Sequence, residues 1–478
     1  MCAFDIQPVL QENIENIQST FHHTSDLVVR HFKPKESAEF CLIYLDSIID
    51  SVQIHDDVIK PLLENIENHE LPIDMIAEKI IQSVDVKNTK KFKDLINGII
   101  QGSTIVLIEG STSGIIIPSV KWEERSIEEA IGERSPRGPV IGLTEKMKTN
   151  INIIRGTLKT PNLCVDSLEL GEEAKTSVSV IYLKGIVDKD IIKEVKRRLH
   201  SINIKFLFNS LVVEDALEGK PATMFSLVRA TERIDSVVSS IEEGRVVVMV
   251  DGIPHAIVAP SLFVDYFQAS DEYHTKFGKI TNRPMRFLGF LIGLYLPGIY
   301  VAIASFHQDD LSEELKKLLI TETEIIPTFW EIIILLFLVR ILIDATFRLP
   351  KSTIVLVSLV GTIVIGQTAV EAKLIHSVSL IVIGVTILSS FLVIYRGLAA
   401  AENTLRIIFV LIGHFLGFQG LIIASTILVI YLVNLKSIGV PYLAPFIPFR
   451  IEELKDTLVR GNLQKLINSK HTYTEKND

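Results

Sequence analysis

The sequence predicts an α/β soluble N-terminal half, made of two tandem, duplicated subdomains, followed by an all-α polytopic membrane domain. Three observations predict this division. Long apolar runs fill residues 286–434, whereas the residues before them have the composition of an ordinary soluble protein. Two stretches of the N-terminal half repeat each other. One apolar run, residues 287–306, carries no charged side chain and as a helix would span about 30 Å, the thickness of a bilayer core.

Six segments follow one another along the chain in this prediction. They are a polar N-terminal segment (1–25), a first cytoplasmic α/β subdomain (26–134), a linker with a connecting helix (135–160), a second cytoplasmic α/β subdomain (161–275), a membrane domain of five or six helices (276–445) and a polar C-terminal tail (446–478).

Charge and cysteine usage narrow the class of protein. The net charge of −9 is spread along the chain, so no nucleic-acid partner is expected. The three cysteines, Cys2, Cys41 and Cys164, share no C-x-x-C spacing and cannot all pair, which fits a reducing compartment. The first residues lack the apolar stretch of a cleavable signal. We therefore expect the N-terminal half to stay in the cytoplasm.

The duplication is visible as an alignment without gaps. Residues 102–119 (GSTIVLIEGSTSGIIIPS) align on residues 244–261 (GRVVVMVDGIPHAIVAPS), and residues 43–50 match residues 181–188 upstream. Each copy predicts an apolar strand, helical segments, and then two strands joined by a Glu-Gly or Asp-Gly turn, where glycine permits a positive φ. We expect two subdomains of one fold, each with helices covering a face of its sheet.

A connecting helix is predicted between the copies. Pro136, Gly138 and Pro139 mark a linker, and a helix begins near Thr144. Its apolar residues fall on one face, which predicts docking on a neighbouring surface: Met147, Ile151, Ile154 and Leu158. Its basic residues fall elsewhere, where solvent, lipid phosphate or a partner would meet them: Lys146, Lys148 and Arg155.

Charge around the apolar runs predicts their orientation. Four basic residues precede the first span and the loop after it is mostly acidic, so the positive-inside rule leaves the N-terminal half in the cytoplasm. Further helices are predicted at about residues 329–345, 352–370 and 375–395. The run 405–434 would be about 45 Å long, too long for one span. Its central glycines favour a break that makes two short helices and returns the basic tail to the cytoplasm: Gly413, Gly417 and Gly420.

Polar residues inside these runs are the candidate functional residues, because a charge at the bilayer centre costs about 3 kcal/mol or more. Arg340 and Asp344 are four residues apart and can form an intramembrane ion pair. The third helix carries small and polar residues on adjacent faces, which indicates either close helix packing or a pore with an apolar constriction and an acidic ring. The candidate pore or gate residues are Ser358, Val360, Thr362, Ile363, Val364, Gln367 and Glu371.

Signatures of enzymes are not found in the sequence. Residues 218–221 (EGKP) lack the upstream glycine and the hydroxyl residue of a phosphate-binding loop. His376 and His414 stand singly, which favours packing roles over metal binding. We expect no catalytic residue, no cofactor and no metal site.

Four motifs carry a resemblance to a known family. They are PRGPVIGLTEKMKTNINIIRGTLKT, NRPMRFLGFLIGLYLPGIYVAIASFHQDDL, GTIVIGQTAVEA and SIGVPYLAPF, at residues 136–160, 282–311, 361–372 and 437–446. In this order they resemble the A subunit of the GerA-type nutrient germinant receptors of endospore-forming bacteria. At positions where the family pattern has two glutamates on the second helix, this chain has Leu336 and Arg340.

The resemblance implies a function. Family members are integral to the spore inner membrane, with a cytoplasmic two-part N-terminal domain that faces the spore core. They work with a transporter-like B subunit and a lipoprotein C subunit, and they are expected to form a homo-oligomeric, ligand-gated channel that releases monovalent cations. The resemblance thus favours the pore over close packing. A non-conducting scaffold that recruits other germination proteins is the alternative, and a secondary transporter is a third possibility.

Overall fold

The computed structural model divides into two compact units. The N-terminal unit contains Met1–Ala222, Val228–Pro260 and Lys470–Asp478, and the helical unit contains Thr223–Leu227 and Ser261–Ser469. The structure describes residues 5–34, 38–65, 72–83, 85–122, 141–219, 223–268, 278–308, 311–319, 326–346, 366–393 and 395–450, and the single positions 350, 353, 361, 453, 457, 473 and 474.

The first subdomain of the N-terminal unit is a five-stranded antiparallel sheet with helices. Its strands are β1 (Leu27–Phe32), β2 (Phe40–Leu45), β3 (Lys87–Thr89), β4 (Ser103–Ile108) and β5 (Gly114–Pro118), in the spatial order β1-β2-β4-β5-β3. Its helices are α1 (Leu10–Thr20), α2 (Ser51–Ile54), which continues through a π-helical turn (His55–Ile59) into α3 (Lys60–Asn65), then α4 (Ile73–Lys79) and α5 (Phe92–Ile100).

The second subdomain has the same topology. Its strands are β6 (Leu163–Leu170), β7 (Thr176–Leu183), β8 (Arg229–Thr231), β9 (Val246–Val250) and β10 (Ala256–Ala259), in the order β6-β7-β9-β10-β8. Its helices are α6 (Met147–Thr157), α7 (Lys189–His200), α8 (Leu211–Glu218) and α9 (Ile234–Glu242). The two sheets repeat one strand order, so the predicted duplication of an α/β fold is confirmed.

The repeated glycines occupy equivalent turns. Gly102 and Gly244 have φ of +85° and +87°, and Gly110 and Gly252 have φ of +84° and +83°. These values lie in the left-handed region, where a side chain is strained. The glycines that the two copies share in sequence therefore form the same backbone turns before β4 and β9 and after them.

Helix α1 extends the first subdomain beyond its predicted boundary at residue 26. Leu10, Ile14 and Ile17 pack in the same core as β2 and β4. Ile17 is fully buried. The polar composition of residues 1–25 conceals this apolar face, because a helix needs only one residue in three or four to cover a sheet.

The connecting helix α6 joins the two subdomains. Ile151 and Ile154 pack in the core of the second subdomain. From the same helix, Asn152 donates hydrogen bonds from Nδ2 to the carbonyl oxygens of Ser47 (2.9 Å) and Lys121 (2.8 Å) in the first subdomain. Helix α6 therefore docks on both copies, as its apolar face predicts.

Arg155 of α6 is buried in an ion pair and does not face solvent, lipid or a partner. Its Nε and Nη2 atoms donate to the two carboxylate oxygens of Asp26 at 2.6 and 2.7 Å. Burial acts to raise the pKa of Asp26, but the Arg155 charge and hydrogen bonds from Arg155, Thr24 and Ser47 outweigh it, so the pKa is lowered. The carboxylate and guanidinium thus stay charged and tie residue 26 of the first subdomain to the connecting helix.

The helical unit carries most of the apolar sequence. It contains a 3₁₀ turn (Phe263–Phe267), α10 (Gly278–Phe306), α11 (Glu313–Leu319), α12 (Thr328–Thr346), α13 (Ala369–Glu371), α14 (Ser377–Ser390), α15 (Arg396–Asn434) and the short strands β11 (Lys436–Ser437) and β12 (Val440–Pro441). Among the described residues, two helices are long and apolar enough to cross a membrane: Thr281–Phe306, with a mean hydropathy of 2.0, and Gly397–Asn434, with 2.2.

The chain enters the helical unit earlier than the predicted boundary at residue 276. Phe263 and Phe267 stack edge-on against Phe290 of α10, with ring centroids 5.8 and 5.7 Å apart. The guanidinium of Arg286 donates to the Phe267 carbonyl oxygen at 3.0 Å. The longer segment of this unit therefore begins at Ser261, and these aromatic side chains bury their surface on α10.

Helix α15 is interrupted at Gly417, one of the three glycines at which a break is predicted. Gly417 has φ +59° and ψ −152°, which is not helical. Before the break, the ring of Tyr395 packs on Tyr266 at 6.0 Å, and Tyr266 donates to the Ser226 carbonyl oxygen. After it, the ring of Tyr431 lies 6.4 Å from that of Phe225. Both ends of α15 thus reach the segment 225–226, so the chain reverses direction at Gly417.

Candidate functional site

Helices α10, α14 and α15 approach one another through glycines. A Cβ atom on Gly298 would lie 2.9 Å from the Phe409 carbonyl oxygen, and one on Gly413 would overlap the Gly298 carbonyl group. A Cβ on Gly293 would overlap the carboxylate of Glu402. Small residues at such spacing let helix backbones touch. Here they also leave room for buried polar side chains between the helices.

A buried ion pair occupies that room. Glu402 and Arg406 are one turn apart on α15, and Arg406 Nη2 lies 2.5 Å from Glu402 Oε1. Ser390, at the end of α14, donates from Oγ to Glu402 Oε1 at 2.5 Å, and Arg406 Nε donates to the Gly293 carbonyl oxygen of α10 at 2.5 Å. We name Gly293, Ser390, Glu402 and Arg406 the Glu402 cluster. It ties three helices together.

The charged side chains of the Glu402 cluster are buried from solvent in the single chain. Glu402 is fully buried and Arg406 is 5% exposed. Glu402 Oε2 is buried and has no hydrogen-bond partner among the described residues. Removing one partner from a buried pair typically costs about 3–5 kcal/mol, because the other charge stays buried alone. The pair therefore fixes the packing of these helices as a unit.

A second buried carboxylate lies between α12 and α14. Glu331 is fully buried, and its Oε2 accepts from Ser379 Oγ at 2.6 Å. Its Oε1 accepts from the backbone N–H of His376 at 3.2 Å, and the Tyr300 hydroxyl lies 3.3 Å from that of Ser379. This Glu331 cluster joins α10, α12 and α14 through buried hydrogen bonds.

The predicted pair on the second helix is present and exposed. Arg340 Nε lies 3.4 Å from Asp344 Oδ2, and the two side chains are 57% and 54% exposed. Gln367 Nε2 donates to Glu371 Oε1 at 3.0 Å, and both residues are exposed. The remaining candidate pore residues lie outside the described residues: Ser358, Val360, Thr362, Ile363 and Val364.

The two single histidines take part in packing. The His376 ring caps α14, with Nδ1 accepting from the Val378 N–H at 3.3 Å. The His414 ring stacks on Phe329 at 4.1 Å, and its Nδ1 lies 3.1 Å from Ser305 Oγ. Within the described parts of the chain, no group of three His, Cys, Asp or Glu side chains is placed to hold a metal ion.

The chain is similar to known proteins over most of its length. Residues 15–472 match the profile of a family described as Bacillus/Clostridium GerA spore germination protein. The chain is 34% identical over 462 residues to spore germination protein KA of Bacillus subtilis (strain 168), which covers 95% of this chain and 85% of that protein. It is 29% identical over 463 residues to spore germination protein GerLA of Bacillus cereus, covering 95% and 94% of the two chains.

A solved structure is also similar to part of the chain. It is the crystal structure of the N-terminal domain of the A subunit of the Bacillus megaterium spore germinant receptor GerK3. The two share 28% sequence identity with a TM-score of 0.44, over 55% of this chain and 99% of that one.

Proposed function

The chain belongs to the GerA family of spore germination proteins, and from that premise we propose that it is the A subunit of a nutrient germinant receptor and forms an oligomeric, ligand-gated channel for monovalent cations. It lies in the spore inner membrane with its N-terminal unit facing the spore core. A transporter-like B subunit and a lipoprotein C subunit complete the receptor. Nutrient binding shifts the population of closed and open assemblies, so no covalent chemistry is required.

One observation supports the channel most directly. Arg340 is six residues from the end of α12, about 9 Å along the helix, and more than half of its side chain is exposed in the single chain. Asp344, Gln367 and Glu371 are exposed as well. Charged side chains facing lipid are costly, so such residues face water or another protein surface. An assembly of several copies around an axis would supply both a water-filled path and a neighbouring protein surface.

The Glu402 and Glu331 clusters suit this arrangement. Each buried carboxyl finds partners within one chain, namely Arg406 and Ser390 for Glu402, and Ser379 and a backbone N–H for Glu331. They link α10, α12, α14 and α15 to one another. The exposed polar residues of α12 and of residues 367–371 are then free to face the axis of an assembly.

A single substitution tests the gate. Val360→Ala removes two methyl groups from the predicted apolar constriction, so spores that carry this variant should release K⁺ or Na⁺ and germinate without nutrient. Val355→Ala, the same change about 140° around the predicted helix, is the matched control and should retain ions. Ion retention and nutrient response that are unchanged by Val360→Ala would contradict a gate at this position.

A further inference from the structure

Two residues near the end of the sequence return to the N-terminal unit. Tyr473 and Thr474 follow the helical unit in sequence, yet they belong to the same compact unit as the second subdomain. Tyr473 is 2% exposed. A tyrosine that buries its ring needs a partner for its hydroxyl group, and the second subdomain supplies one.

The seat of Tyr473 is built from charged side chains. The Arg245 guanidinium lies over the Tyr473 ring, 4.8 Å from its centroid. Arg245 Nη2 donates to the Tyr473 hydroxyl at 3.2 Å, and that hydroxyl donates to Glu243 Oε2 at 3.4 Å. Arg245 is itself held by the Pro260 carbonyl oxygen at 3.2 Å and by Glu243 at 3.3 Å. The ring thus has a cation on its face and a donor and an acceptor at its hydroxyl.

The backbone of Thr474 pairs with the second subdomain through a single β-bridge. Thr474 forms an antiparallel bridge with Val187. The first subdomain has the same bridge between its own residues, because Ile49, which aligns with Val187, pairs with Val120.

The flanking hydrogen bond also recurs. The N–H of Asp50 donates to the Ser119 carbonyl oxygen at 2.8 Å, and the N–H of Asp188, at the equivalent position, donates to the Tyr473 carbonyl oxygen at 3.4 Å. Tyr473 and Thr474 thus stand in the second subdomain where Ser119 and Val120 stand in the first.

The glycine beside the bridge shows the same replacement. A Cβ on Gly102 would meet the Val120 side chain at 2.6 Å, and a Cβ on Gly244 would meet the Thr474 side chain at 3.1 Å. In the second subdomain, the chain leaves after Pro260 to enter the helical unit. Ser261 and Leu262, which correspond in sequence to Ser119 and Val120 of the first subdomain, therefore belong to the helical unit.

We propose that the C-terminal tail completes the second subdomain by strand complementation, with Tyr473 and Thr474 supplying the backbone segment that the first subdomain takes from its own sequence. The site accepts an extended peptide through main-chain pairing and an aromatic side chain through the Arg245 and Glu243 seat. This docking does not depend on ion conduction. Given the membrane insertion proposed above, it also places both ends of the intervening chain on one side, so that chain crosses the membrane an even number of times.

A disulfide tests the docking in the full-length protein. Residues paired across an antiparallel bridge are close enough for a disulfide, so Val187→Cys with Thr474→Cys should form an oxidant-dependent cross-link within one chain. Ile49→Cys with Thr474→Cys is the matched control at the equivalent position of the other subdomain, and it should not cross-link. Each single variant controls for pairing with the native cysteines. Equal cross-linking of both pairs, or cross-linking only between chains, would overturn the proposal.

Sided labelling provides a second measurement if the cysteine pairs fold poorly. In sealed vesicles, a membrane-impermeant maleimide should reach Thr474→Cys only from the side on which it reaches Ser201→Cys, an exposed position of the N-terminal unit. Labelling of the two positions from opposite sides would overturn the docking and the even number of crossings together.

Protease sensitivity tests the contact between Tyr473 and Arg245. Tyr473→Ala should make the second subdomain more sensitive to protease, and Tyr473→Phe, which keeps the ring on Arg245, should do so less. Equal sensitivity of Tyr473→Ala and the unmodified protein would contradict this contact.

Discussion

Replacing Arg406 with methionine removes the counter-charge of a carboxylate that no solvent reaches. Glu402 would then retain one described hydrogen bond, from Ser390, and Gly293 would lose the donor to its carbonyl group. Breaking such a pair from one side typically costs about 3–5 kcal/mol. With about 2–4 °C per kcal/mol for a unit of this size, Arg406→Met should lower the unfolding temperature by about 6–20 °C.

The comparison with two other variants separates charge from packing. Glu402→Gln leaves Arg406 three described acceptors, in Ser390, Asn403 and Gly293, so it should cost less than Arg406→Met. The double variant Glu402→Leu with Arg406→Met removes both charges and should recover most of the loss. The assay is thermal unfolding of the detergent-solubilised protein. An Arg406→Met protein as stable as the parent, or a double variant as unstable as the single one, would refute a buried ion pair.

Three further predictions concern other contacts. Gly293→Ala places a methyl group on the Glu402 carboxylate and should lower the unfolding temperature in the same assay, whereas Gly384→Ala, where no described atom lies within 4 Å, should not; equal effects would contradict the close approach. The lowered pKa of Asp26 contributes stability above the carboxyl's unfolded pKa of about 4, and this stability is lost as the pH falls through the folded pKa. Asp26→Asn should therefore make the N-terminal unit less stable near neutral pH and less sensitive to acid, as measured by urea unfolding at several pH values, and an unchanged acid dependence would count against the Arg155 pair. Burial raises the pKa of the Cys41 thiol to about 12, so maleimide should modify it near neutral pH only after denaturation, and rapid modification of the native protein would be inconsistent with its position in β2.

The duplicated fold could be predicted because strands and turns are specified locally. The repeated glycines that need positive φ, Gly102 and Gly244 among them, are identical in both copies, and alternation of apolar residues sets the strands between them. The break in α15 could be predicted for the same reason, since glycines interrupt an apolar run that is too long for one span.

The burial of acidic and basic side chains, and the partners they find, could not be predicted from the sequence. Glu402 lies before the apolar run that begins at residue 405, so the sequence places it outside the span, although its spacing of four from Arg406 is a visible signal. Glu331 stands in the first turn of α12, and its burial depends on Ser379 and His376 of a different segment. Arg155 resembles a solvated residue until the fold brings Asp26 to it from a distant part of the chain. These contacts depend on tertiary packing, which periodicity does not report.

The docking of the tail could not be predicted from the sequence either. Tyr473 lies in a polar segment without apolar periodicity. Its partner surface exists only because the second subdomain sends its own continuing chain into the helical unit after Pro260. Only the comparison of the two subdomain structures reveals the missing segment and what replaces it.

Cation flux through the purified protein in liposomes tests the central claim most directly. With Val360→Ala in place, so that no nutrient or partner subunit is needed to open the gate, the assembled protein should release entrapped K⁺ or Na⁺, and the Val355→Ala protein should remain closed. A folded, oligomeric Val360→Ala protein that passes neither ion would contradict conduction by this chain and would leave it as a membrane-anchored scaffold.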